Sequence, residues 1–80
     1  MIAHYYRQAL GRSHGFSDAW DDQGVSWALK IVRFSKKQWI LSLAVTRNGM
    51  IRYAEGEFTH RPTLDDTRKW VVEAQAKLLT

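Results

Sequence analysis

Cysteine is absent from the 80 residues, which removes disulfides, thiolate nucleophiles and cysteine metal ligands from consideration and fits a reducing, cytoplasmic setting. Apolar runs are too short to span a bilayer. The segment Met1-Ile2-Ala3-His4-Tyr5-Tyr6-Arg7 lacks the apolar core of a signal peptide, so the expectation is an unprocessed, soluble chain without a membrane partner. Gly11, Gly15 and Gly24 are isolated from one another and do not open a helix after a strand, so no phosphate-cradling loop is expected. The imidazoles are His4, His14 and His60. His14 with Asp18, Asp21 and Asp22 matches no metal-ligand spacing, and neither a metal nor another cofactor is expected. Ser13, His14, Asp65 and Asp66 supply the residue types of hydrolysis, but nothing brings a nucleophile, a base and an orienting group together, and the chain is expected not to be an enzyme.

Aromatic residues are plentiful: four Trp, three Tyr and three Phe. A core built from 80 residues contributes only a few kcal/mol, so these side chains must supply much of the burial in a single domain spanning residues 1–80. The formal charge of +4 favours encounters with phosphates or an acidic protein surface, and equally serves to keep a small domain in solution.

Asn48-Gly49 lies between two alternating runs, the pattern of a type I′ hairpin turn in which both central residues take positive φ. Placing them there opposes Arg47 to Met50 and, counting outward, Val45 to Arg52, Leu43 to Ala54, Leu41 to Gly56 and Trp39 to Phe58, all on one face. Ala54 and Gly56 leave room on that face for a close-packed helix. The other face carries Ile40, Ser42, Ala44 and Thr46 beside Ile51, Tyr53, Glu55 and Glu57. Upstream, Trp27, Leu29 and Ile31 alternate with Ala28, Lys30 and Val32, which reads as a strand joined to the next through Ser35-Lys36-Lys37-Gln38.

Thr63 offers an N-cap hydroxyl, Asp65 and Asp66 suit the positive end of a helix dipole, and Pro62 discourages earlier initiation. Leu64, Thr67, Val71, Ala74 and Leu78 share one side at helical spacing, with Trp70 at its margin. The predicted fold is therefore α+β. A three-stranded antiparallel meander, about 25–34, 38–47 and 50–58, packs on a C-terminal helix, about 63–79. Residues 2–10 are expected to form a helix, with an edge strand as the alternative, placed over the Ala28, Ser42 and Ala44 surface or projecting as a contact arm. Gly11 to Gly15 and Asp18 to Gly24 read as loop, with Phe16 and Trp20 folded back onto the core margin.

A strand containing Trp39, the Asn-Gly hairpin, Gly56-Glu57-Phe58 and a covering helix together resemble the three-stranded-sheet DNA-binding domains of plant ethylene-responsive factors and of phage-type tyrosine recombinase arms. The resemblance covers roughly Val25 to Leu79. It implies a sheet face that enters the DNA major groove, with Lys30, Ser42, Thr46 and Tyr53 as contacts, aided at the margins by Lys36, Lys37 and Arg47. The competing expectation is protein recognition through Val32, Phe34, Ile40, Ala44, Ile51 and Tyr53, an apolar centre with a charged rim. On that reading the chain is a partner-binding module, or a phage or mobile-element inhibitor that occludes a host protein. Expected partners are thus nucleic acid or an acidic or apolar protein, with homodimerisation left open.

Overall fold

The computed structural model describes residues 15–80. Four strands, β1 (Gly15–Asp22), β2 (Val25–Ser35), β3 (Gln38–Arg47) and β4 (Met50–Phe58), are followed by one helix, α1 (Leu64–Leu78). The strands form an antiparallel meander in the order β1-β2-β3-β4. The α+β class and the expected meander of β2, β3 and β4 are present, but the sheet has four strands, not three. The segment predicted for residues 2–10 lies outside the described residues, as do His4 and His14.

The extra strand is β1, which the sequence reading placed in loop. Phe16 pairs with Ile31, Asp18 with Leu29 and Trp20 with Trp27. Locally the segment is a poor strand, because three aspartates disfavour β structure and only Phe16 and Trp20 mark its apolar face. Pairing with β2 and burial of Phe16 hold it extended. Its turn is Gln23-Gly24, with φ of 52° and 80°, the same left-handed pair as Asn48-Gly49 at 52° and 76°. Glutamine is not a usual signal for that conformation, so of these two turns only Asn48-Gly49 was legible.

The β3–β4 register is the expected one throughout, from Arg47 opposite Met50 to Trp39 opposite Phe58. β2 runs one residue further than expected, and a register irregularity between Arg33 and Ser35 leaves Phe34 without a cross-strand partner. Trp27, Leu29, Ile31, Trp39, Leu41, Leu43 and Val45 are buried with Phe16 on one side of the sheet. Burial on the order of 2 kcal/mol for each large side chain makes this face the main source of stability.

α1 lies over the β3–β4 half of that face. Thr67, Val71, Ala74 and Leu78 are buried, and Leu64 is half-buried, so the expected stripe is the packed one. The Trp70 indole sits on Gly56: a Cβ there would lie 2.6 Å from Trp70 Cε2 and closer still to Nε1. Thr63 caps the helix, its Oγ1 accepting from the Asp66 amide at 3.1 Å, while Asp66 Oδ2 accepts from the Thr63 amide at 3.0 Å. That backbone bond, with the nearby His60 ring, holds the Asp66 carboxyl below its ordinary pKa. At the other end, Arg52 Nη1 donates to the carbonyls of Leu78 at 2.7 Å and Thr80 at 3.2 Å, placing a cation against the negative end of the helix dipole.

Candidate recognition face

Because strand side chains alternate, burial of one face assigns every other residue to the opposite, outer face. The paired registers arrange these residues into four rows across the sheet. They are Gly15–Val32–Ile40–Glu57, Ser17–Lys30–Ser42–Glu55, Ala19–Ala28–Ala44–Tyr53 and Asp21–Ser26–Thr46–Ile51. Side chains are small along β1 and large along β4. The alanine row and its serine neighbours form the floor of a trough of about 560 Å³, flanked by Lys30 and Tyr53.

Tyr53 is 67% exposed and Ile51 56% exposed, whereas Val32, Ile40, Ser42 and Ala44 are half-buried. Lys30 is the only lysine or arginine in the four rows, against the carboxylates Asp21, Glu55 and Glu57. Asp21 Oδ1 accepts from Ser26 Oγ at 2.7 Å, and Glu57 Oε1 accepts from Gln38 Nε2 at 3.1 Å. Among the described residues Lys30 has no recorded ion pair. The face therefore combines exposed apolar groups, small residues and a net negative rim.

The remaining sequence-predicted contacts are dispersed. Lys36 and Lys37 form the β2–β3 turn, and Arg47 ends β3 at the opposite end of the sheet. Phe34, 67% exposed, sits at the register irregularity near Lys36 and Lys37 and not in the rows. The structure thus gathers Lys30, Val32, Ile40, Ile51 and Tyr53 on one face, leaves Phe34 unpaired at the end of β2, and sets Lys36, Lys37 and Arg47 at the turns. Arg33 takes the core side of the strand end, its guanidinium carbon 5.7 Å from the centre of the Trp39 ring and its Nε donating to the Ser35 carbonyl at 3.2 Å. Arg52, opposite Val45 in the β3–β4 register, ties β4 to the end of α1.

Sequence reasoning missed the contribution of β1. Ser17 and Ala19 complete the trough, and the Gly24 turn was their available signal. Trp20, expected in a loop and folded back onto the core margin, is a half-buried strand residue packed against the core. Asp18, considered with a loop metal cluster, lies on the core side of β1. Its Oδ1 accepts from the Ala19 amide at 2.9 Å, and its Oδ2 is buried without a hydrogen-bond partner.

No His, Asp or Glu group able to hold a metal occurs among the described residues, and none of their helices is long and apolar enough to cross a membrane. The geometry defines a four-stranded meander backed by one helix and presenting a patterned outer face. Compared with protein-family models, curated proteins and solved structures, the chain matches none of them.

Proposed function

We propose that this chain is a non-catalytic recognition module that binds protein through the outer face of its sheet. The observation that carries this reading is the composition of the four rows: an alanine-floored trough, exposed Tyr53 and Ile51, and one lysine facing three carboxylates. An apolar centre with charged margins suits a protein surface. Duplex phosphates would instead call for several cations on the contacting face. Occlusion of a host protein by a small phage or mobile-element inhibitor is one form this activity takes.

The test is site-specific photo-crosslinking in cells, with the reactive group at position 53 on the outer face or at Val72 on the exposed side of α1. A partner identified by mass spectrometry from position 53, absent from position 72 and lost on Ala28→Glu, is the expected result. Equal capture from both positions would refute the assignment of this face.

A second reading, nucleic-acid binding as in the three-stranded-sheet domains that the sequence resembles, is favoured by Lys36 and Lys37 at one end of the sheet and Arg47 at the other. Fluorescence anisotropy with labelled duplex DNA, single-stranded DNA and RNA at two salt concentrations tests it. Each duplex phosphate contact contributes about −0.9 to the slope of log K against log salt, so Lys36→Ala/Lys37→Ala should flatten that slope by about 1.8 if both residues touch phosphate. Absence of binding at low salt would exclude this reading.

A further inference from the structure

We infer that the outer face recognises a second copy of the same chain, an assignment that rests on its being a protein-binding surface. The argument begins with the gradient of side-chain size. From β1 to β4 the rows run glycine to glutamate, serine to glutamate and alanine to tyrosine, so the face is thin at one edge and thick at the other. A two-fold axis parallel to the strands, midway between β2 and β3, would turn the thick edge of one copy over the thin edge of the other. Such an axis makes the contact isologous and closed.

The rows then meet in complementary pairs. Tyr53 of each copy falls over Ala19 of the second, Ala28 over Ala44, and Val32 over Ile40. Lys30 falls over Ser42 of the second copy and beside Glu55, which is adjacent to Ser42 in the same row. Two symmetric ion pairs would then engage Lys30 and Glu55, neither of which has a recorded ion pair among the described residues. Gly15 and Ser17 give space to Glu57 and Glu55. Asp21 falls over Ile51, the least favourable pairing. It lies in an end row, where the roughly 30° angle between packed sheets swings strand ends apart and admits water.

The strand geometry gives the face a projected size of roughly 19 by 23 Å. Accessible surface on both copies together would then approach about 1,000 Å², the lower bound for a specific interface. A dimer of this size is expected to be reversible.

Sedimentation equilibrium of the full chain from low micromolar to millimolar concentration provides the test, with circular dichroism confirming that each variant is folded. The parent should pass from monomer to dimer. Ala28→Glu, which fills the trough, should remain monomeric throughout. Lys30→Glu should weaken association at least tenfold, and Lys30→Glu/Glu55→Lys should restore it by rebuilding both ion pairs with reversed sign.

A parent that remains monomeric at millimolar concentration overturns the self-association and leaves the crosslinking experiment to decide whether the face binds a different protein. Dimerisation that persists unchanged in Ala28→Glu places the contact elsewhere and overturns it equally. Failure of the double charge swap to restore association would refute the proposed axis. If the outer face yields neither a dimer nor a crosslinked partner, the protein-recognition reading fails as well.

Discussion

The contact between Gly56 and Trp70 can be isolated energetically. Adding a methyl group at Gly56 would set a Cβ against the indole Nε1 and Cε2 of Trp70. The ring must move away from β4 or β4 must shift, and overpacking of this kind costs about 1–3 kcal/mol. Alanine in place of glycine also contributes about 0.5–1 kcal/mol in favour of the strand, through the lower entropy of the unfolded chain. Gly56→Ala should therefore destabilise the domain by about 1–2 kcal/mol, against a total of about 4–12 kcal/mol for a chain of this length. Trp70→Ala, which removes a half-buried ring, should cost about 2 kcal/mol by itself. In that background the obstruction is gone, and Gly56→Ala should become neutral or stabilise by up to about 1 kcal/mol. Urea unfolding followed by far-UV circular dichroism, which does not depend on the deleted indole, measures all four corners of the cycle. An equal penalty for Gly56→Ala with and without Trp70 would refute the claim that the indole is what requires glycine there.

Three further changes address the helix ends. Thr63→Ala should lower stability by about 1 kcal/mol and the melting temperature by about 4–8 °C, because the Asp66 amide loses its acceptor; an unchanged melting curve would contradict the cap. Arg52→Met keeps the aliphatic stem but removes the donor to Leu78 and Thr80, and should cost about 1–2 kcal/mol in urea unfolding. A neutral result would mean that water replaces the guanidinium at no cost. Asp66 supplies a pH test. Its folded pKa is lowered by the Thr63 amide first and by His60 next, so its contribution is present above the unfolded carboxylate range and is lost as pH falls through the folded value. The stability difference between the parent and Asp66→Asn should shrink as pH falls below about 4. A difference that persists unchanged at pH 2 would remove the charge from the explanation.

Positive φ at Asn48 and Gly49 is a local requirement, and once that turn is placed the period-two alternation fixes every β3–β4 pairing out to Trp39 and Phe58. Thr63 and the 3.6-residue spacing of Thr67, Val71, Ala74 and Leu78 likewise encode the start and the buried side of α1 within one short stretch. These features were legible because each depends on neighbours in sequence. The strand β1 was not, since three aspartates and a Gln-Gly turn describe a loop until Phe16 and Trp20 find Ile31 and Trp27.

Charge was also a poor guide to position. Counting cations could not show that Arg52 holds the end of α1 or that Lys36 and Lys37 stand apart from the trough. The sequence by itself determined the β3–β4 register, the helix and the side of the sheet that is buried, because turn chemistry and side-chain periodicity act over a few residues. Only the tertiary structure decided the fourth strand and the small-to-large gradient of the outer face. Both arise from pairing between separate segments, where cross-strand hydrogen bonds and shared burial overrule local preference.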